Sequence, residues 1–444
     1  MSPHGWNPRH SKVSARSVLA IGVLLTTTIA AQAGGFAIRE QSAVGEGSSY
    51  AGVAAGGALS SAFWNPATIT QTRGFAVETD ASIIAGYANN TPTTATLGAL
   101  GFGGTNNVAL PAVVPSGYAS YQLNNNLWLG MAFNAPFGLS ESFPDTFSGR
   151  AYGDSNTSLA TYNFNPMIAW RINDWISVGA GFQAQYAKVT YDTGIGPAPP
   201  FVAQQIGILS GAGWAYGATA GATFTPGPNT RIGIGWRSAL NQKINGTFGT
   251  TVGFPFFLPP TTTGAVSTTI KMPDIVSLGI RQRLDMNWTV MATAEWTNWS
   301  RIGTSNVVLP SGAPATLVGV PITIPFKYRD GQFYALGAEY NWTPITTLRA
   351  GVAYEISPID DTVRIPALPD NDRLWVSAGL SHKLSQSVTL DFAYSHAFVK
   401  DPTFNISASS GNPSFNGVDT YIGKGSSHFD IFTVALRYAP NPTP

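Results

Sequence analysis

Cysteine is absent from the 444 residues, so neither a disulfide nor a thiolate metal site braces this fold. Charge is scarce. Asp, Glu, Lys and Arg make up 11% of the chain, against about 25% in an ordinary soluble domain. After residue 33 no stretch is apolar for about 18 residues, which excludes a transmembrane helix. Histidine is rare too, at five, and no G-x-S-x-G or H-E-x-x-H context surrounds any of them. Catalysis is therefore not expected, nor is a cofactor or a metal. His396, on one strand face with Phe392 and Tyr394, is the single candidate for a lipid-modifying enzyme, and an interfacial histidine is the simpler reading. Asp360-Asp361 and Asp370-Asn371-Asp372 have calcium-ligand chemistry, but as loop residues they more simply meet water.

What is present begins with an export signal. Arg9, Lys12 and Arg16 precede an apolar run from Val18 to Ala30, and Ala31-Gln32-Ala33 is an A-x-A cleavage site. The mature chain is expected to begin at Gly34. Losing those three basic residues takes the formal charge from +1 to −2, which argues against a nucleic-acid partner. Exported, poorly charged, rich in glycine and aromatics and free of long helices, the chain fits one class: an outer-membrane β-barrel of a Gram-negative bacterium.

Residues 34–73 are strandless and dominated by small side chains. Phe36, Tyr50, Phe63, Trp64 and Asn65-Pro66-Ala67 are out of place in a solvated tail, so the segment is read as a hatch, a plug inside a barrel. Fourteen strands are expected after it: 74–88, 110–123, 126–139, 158–172, 174–191, 213–226, 229–247, 266–284, 286–303, 326–342, 345–358, 372–384, 387–400 and 426–438. The connections alternate between tight turns and long Gly, Pro, Ser and Thr loops, as in bacterial barrels. Within strands, apolar and polar residues alternate. In 345–358, Leu348, Val352 and Tyr354 take one face while Arg349 and Glu355 take the other. Trp170, Trp175, Trp288 and Trp342 stand beside tight turns as an interface girdle. The expected division is a leader at 1–33, the hatch at 34–73, a 14-stranded antiparallel barrel at 74–438 and a tail at 439–444.

Three features suggest passage of an apolar ligand. Asn134-Ala135-Pro136-Phe137-Gly138 interrupts the third strand, where proline removes a ladder donor and glycine loosens the chain; a gap in the wall and an ordinary bulge both answer to it. The 192–212 loop carries Phe201, Ile206 and Leu209 in a candidate short apolar helix. The 248–265 loop carries Phe254, Phe256, Phe257 and Leu258. Apolar loops of this kind bind a partner or pack on one another. Lys327 and Arg329 have the chemistry to hold a carboxylate, or to pair with Asp330.

The chain resembles the outer-membrane long-chain fatty-acid transporter (FadL) family, including relatives that take up aromatic hydrocarbons. The resemblance rests on Gly35-Phe36, Glu40-Gln41-Ser42, Tyr50-Ala51-Gly52, Asn65-Pro66-Ala67, Pro136-Phe137-Gly138, Trp236-Arg237-Ser238, Trp296-Thr297-Asn298-Trp299-Ser300 and the block from Pro369 to Gly379. It implies ligand capture between the 192–212 and 248–265 loops, and an inner pocket beside Gly34, Gly35 and Phe36. Lys188, Lys327 and Arg329 stand approximately where the family holds a carboxylate. It further implies sideways release at Asn134, Pro136, Phe137 and Gly138. The expected function is passive uptake of hydrophobic molecules, most simply long-chain fatty acids, with aromatic hydrocarbons or a general porin as alternatives. The expected partners are that ligand, outer-membrane lipids and the barrel assembly machinery, with the chain itself a monomer.

Overall fold

The computed structural model describes residues 35–153, 156–195, 205–252, 261–307 and 322–440. Fourteen staves run in sequence order. The first seven are β1 (Phe75–Ala95), β2 (Ala112–Gln122), β3 (Leu127–Asn134, then Gly138–Ser142), β4 (Asn156–Arg171), β5 (Ile176–Ile195), β6 (Gln205–Gly227) and β7 (Thr230–Arg237, then Leu240–Val252). The others are β8 (Thr261–Met272, then Ile275–Arg283), β9 (Trp288–Thr297), β10 (Gly331–Thr343), β11 (Thr346–Ile356), β12 (Arg373–Lys383), β13 (Val388–Val399, then Thr403–Ile406) and β14 (Tyr421–Tyr438). Each pairs antiparallel with the next, and β14 returns to β1 from Val77↔Tyr438 to Ala95↔Tyr421. Closure removes the sheet edges that a strand protein cannot leave in hydrocarbon, except where β2 and the upper half of β3 part. A short ribbon, Thr304–Val307 with Ile322–Pro325, forms a second sheet held to β8, where Thr268 donates to the Asn306 carbonyl at 2.9 Å.

The alternation of side chains sets inside from outside. On β14, Phe432, Val434, Leu436 and Tyr438 are exposed while Ile431 and Ala435 are buried. The inward charges pair with one another: Arg349 with Glu339 at 2.7 Å and Arg437 with Asp391 at 2.6 Å. Such pairing offsets the several kcal/mol that an isolated buried charge costs. Trp170, Trp175, Trp288 and Trp342 are all exposed at the short-turn rim. There the Asp285 carboxylate accepts from the backbone N–H of Asn287 and Trp288, both at 2.7 Å, and so closes the β8–β9 turn.

The described N-terminal residues, 35–73, pack against the inward faces. They form one short helix, Ala43–Glu46, and three 3-10 turns, Val53–Ala55, Leu59–Phe63 and Pro66–Gln71. Wall acids hold them in place. Asp80 accepts from the Ala43 N–H at 2.8 Å and Glu78 from the Ser60 N–H at 3.0 Å. Glycines let backbone meet backbone: a Cβ on Gly235 would overlap the Trp64 carbonyl, and one on Gly351 would overlap Ser48.

Two expectations are corrected. The candidate helix ending at Leu209 is not formed there, because Gln205–Leu209 belong to β6 and pair with Tyr191–Ile195 of β5 and Phe248–Val252 of β7. Lys188, expected at the inner pocket, is exposed on the outer face of β5, where its neighbours Ala187 and Val189 are the buried, inward ones.

Candidate ligand pocket and wall opening

The break in β3 lies at Ala135–Phe137, between its two halves. Below it, β3 pairs with β2 only over Gly117–Gln122. Above it, the chain just ahead of β2 meets the upper half of β3 at the bridge between Ala109 and Glu141. The ladder groups freed by the break turn inward. The Ile38 N–H donates to the Pro136 carbonyl, and the Gly138 N–H donates to the Phe36 carbonyl, both at 2.8 Å. Gln41 donates from Nε2 to the Ala135 carbonyl at 2.9 Å. Thr161 of β4 binds both backbone groups of Phe137. Phe36–Ile38 thus crosses the gap, joined to its wall by the antiparallel bridge between Ala37 and Phe137. This satisfies groups that would each cost several kcal/mol facing lipid.

Phe36 also stands at a pocket. Leu139, Leu159, Val189, Leu209, Ile270, Ile324, Phe326 and Leu368 line a narrow cavity of about 70 Å³ with it. No charged side chain lines it among the described residues. The Phe36 ring is packed edge-on against Trp299 at 4.6 Å and lies 6.2 Å from Phe137 and 6.3 Å from Phe326. Beyond that ring is a second, smaller chamber of about 30 Å³, lined by Ala37, Ile38, Arg39, Pro136, Trp299, Glu295 and Glu355 among others. Arg39 bonds Glu295 at 2.7 Å and sits 3.7 Å from the Phe333 ring centre. Phe36 therefore divides an apolar pocket from a polar chamber, and Pro136 of the wall break lines the second.

The first residues of this segment are clasped. Gly35 adopts φ +71°, and its N–H donates to Asp370 at 2.8 Å. Asp370 also takes bonds from Ser357 and Arg373. Nearby, burial pushes the Tyr328 phenol well above its ordinary pKa, so it stays neutral over the working range.

The remaining expected site residues scatter. Gly34, Phe201, Phe254, Phe256, Phe257 and Leu258 lie outside the described residues. Ile206 is a β6 strand residue, backbone-paired to Gly194 and Thr251. Leu209 lines the pocket. Lys327, at φ +47°, is exposed. Arg329 is half-exposed and donates to the Ser357 carbonyl at 3.0 Å. Asn65 caps the turn Pro66–Gln71, accepting from Ala67 at 3.0 Å and donating to the Ala222 carbonyl of β6 at 2.9 Å. Sequence reasoning missed the pocket wall and the Asp370 clasp. The available signal was a change of inward residues along the strands, from Gln183 and Gln185 to Ala187 and Val189 on β5.

Residues 23–439 match the family model for outer membrane protein transport proteins (OMPP1/FadL/TodX). The chain belongs to that family. It is 28% identical over 426 residues to a long-chain fatty acid transport protein of Escherichia coli O6:H1, covering 86% of this chain and 90% of that one. It is 25% identical to outer membrane protein P1 of Haemophilus influenzae, covering 96% and 99%. Two solved structures share the barrel fold. A Pseudomonas aeruginosa FadL homologue superposes with a TM-score of 0.80 at 20% identity, over 91% of this chain and 99% of that one. The Pseudomonas putida toluene transporter TodX superposes with 0.69 at 15% identity, over 92% and 100%. The chain is an outer-membrane barrel of a family that transports hydrophobic compounds.

Proposed function

We propose that this chain is a passive channel in which residues 34–73 act as a hatch and the ligand leaves sideways through the break in β3. One observation carries the reading: Phe36–Ile38 fills the wall gap and borders the apolar pocket at once. A ligand entering that pocket presses on Phe36, and moving Phe36 withdraws the segment that closes the gap. An apolar molecule gains little by entering periplasmic water, whereas bilayer hydrocarbon offers the transfer energy the pocket does. Capture falls to the loops carrying Phe201 and Phe254–Leu258. They spring from β5–β6 and β7–β8, whose Val189, Leu209 and Ile270 line the pocket.

The absence of cysteine makes the test clean. Ala37 and Phe137 face each other across an antiparallel bridge, a geometry within disulfide reach. The double variant Ala37→Cys/Phe137→Cys, once oxidised, is expected to lose uptake of a radiolabelled apolar ligand at least about tenfold and to regain it with reductant. Full uptake through a completely cross-linked barrel would refute the lateral exit. Steady ion openings of porin size from the intact parent would favour a general porin.

A second reading concerns the ligand. Long-chain fatty acids and aromatic hydrocarbons both suit an apolar wall, but no charged side chain lines the pocket among the described residues. That favours a ligand without an ionised group. Competition between toluene and oleate at pH 8 decides it: toluene is expected to displace a bound fluorescent probe at the lower occupancy of the bilayer.

A further inference from the structure

Lys188, displaced from the pocket by the structure, belongs to a different feature. It shares the outer face of β5–β8 with Lys243 and Lys271, and all three are exposed. The inward neighbours on these strands, Ala187, Val189, Gln242, Ile244, Ile270 and Met272, are buried, so the lysines point away from the lumen. Lys243 faces Thr269 and Asn241 faces Lys271 in the β7–β8 ladder, which makes the two lysines diagonal neighbours about 7–8 Å apart. None of the three forms an ion pair among the described residues. Asp274, three residues from Lys271 in sequence, is already engaged by Arg301 at 3.6 Å, and Arg301 itself reaches Asn241 at 3.0 Å.

Height matters as much as charge. Lys188 is twelve residues above Ile176 on β5, and Lys271 twelve above Arg283 on β8. At about 3.4 Å per residue and a tilt near 45°, that is about 29 Å above the short-turn rim, just beyond an apolar band about 25 Å tall. Tyr186 and Trp214, whose rings lie 5.2 Å apart, stand one step lower on the same face, at the level of an interface girdle. The opposite sector differs. There the outer face of β13 and β14 carries Asp430, which accepts from Tyr394 at 2.7 Å and pairs with His396 at 2.8 Å.

We infer that the Lys188–Lys243–Lys271 face is a docking site for a phosphorylated glycolipid of the outer leaflet. Its phosphates meet the unpaired ammonium groups and its acyl chains lie against Tyr186, Trp214 and the apolar wall below. Lys243 and Lys271, like charges on adjacent strands with no ion pair among the described residues, repel one another, and a phosphate between them removes that cost; Lys188, two strands from Lys243 through Ala212 and Asn245, offers a separate contact to the same headgroup. The site is independent of the transport route, since none of its lysines lines the pocket or the wall break.

The test uses the whole barrel in nanodiscs. The triple variant Lys188→Glu/Lys243→Glu/Lys271→Glu changes only exposed side chains and is expected to fold. Native mass spectrometry after exposure to diphosphoryl lipid A should show retention by the parent reduced about tenfold or more in the variant. Dephosphorylated lipid A should bind the parent as weakly as diphosphoryl lipid A binds the variant, and 10-fold excess inorganic phosphate should displace little. Equal retention by parent and triple variant would overturn the inference. So would an equal loss in the control Lys400→Glu/Lys424→Glu on the opposite sector, or displacement by inorganic phosphate alone.

Discussion

The lower and upper halves of the lumen are built from the same staves and do opposite things. Below, β5 turns Gln183 and Gln185 inward, β7 turns Arg237 inward, and glycines such as Gly235 and Gly351 admit the N-terminal backbone to contact. Above, β5 turns Ala187 and Val189 inward and β6 turns Leu209 inward, and the space beside them stays open as a cavity. Polar inward faces can be filled by a segment that brings its own hydrogen bonds. Branched aliphatic faces with no such segment can be filled only by something apolar. The boundary between the halves is Phe36, and the break in β3 is at its level.

The largest effect follows from removing one side of that comparison. Deleting Gly34 to Thr72 leaves strands that satisfy their own backbone, so the barrel should insert and remain closed as a sheet. Its lower lumen would then be water-filled, and single-channel recordings should show ion conductance many times that of the parent. A variant as tight as the parent would contradict the hatch. Next in size is the wall. Replacing Ala135 and Pro136 by valine restores a ladder donor and favours a continuous β3. Ligand binding should persist while uptake drops about tenfold; uptake at the parent rate with the ladder continuous would move the exit to the hatch floor near Asn65.

Smaller effects sharpen the boundary without breaking it. Gly351→Val places a side chain where Ser48 lies. Overpacking of this kind costs about 1–3 kcal/mol and should lower the melting temperature and raise basal conductance, whereas Ala350→Val on the lipid side of the same strand should leave both unchanged. In the upper half, Val189→Asn sets an amide without a partner into the pocket wall. It should weaken ligand binding by about 1–3 kcal/mol, read by isothermal titration, with the lower lumen and the conductance unaffected.

Much of the barrel was legible because its signals are local. The period of two, the tight turns and the rim tryptophans each name a strand or its end, and β1–β14 fall on the fourteen expected segments. Where long-range pairing decides, the sequence is silent. Gln205–Leu209 has the apolar content of a helix, but its partners Tyr191–Ile195 and Phe248–Val252 lie on other strands. Lys188 shows the same limit. One step along β5 separates the lumen from lipid, and a lysine near the end of a long strand carries no mark of which side it takes. The Asp370 clasp joins residues 335 positions apart, beyond any spacing argument. Proline and glycine in β3 did carry their meaning in the sequence, since a missing donor is a property of the residue itself.

The smallest expected effect tests what the upper half does not contain. Lys327 and Arg329 are the cations nearest in sequence to Phe326, a pocket-lining residue. Yet Lys327 is exposed, and Arg329 donates to the Ser357 carbonyl and stands 3.8 Å from the Asp372 carboxylate as an ion pair. Neither lines the cavity, so neither is placed to hold a carboxylate inside it. Lys327→Gln and Arg329→Gln should each change stability by no more than about 0.5 kcal/mol, as exposed substitutions do, and leave toluene binding within about twofold of the parent. Oleate binding measured on the same variants is the sharper arm. A fatty acid held by its ionised head would lose a charge-assisted hydrogen bond of about 1.5–3 kcal/mol on loss of its cation. A drop of that size in Arg329→Gln would show that an acid head reaches out of the pocket to this residue. An unchanged affinity in both variants leaves the apolar wall alone to bind, as the lining of the pocket implies.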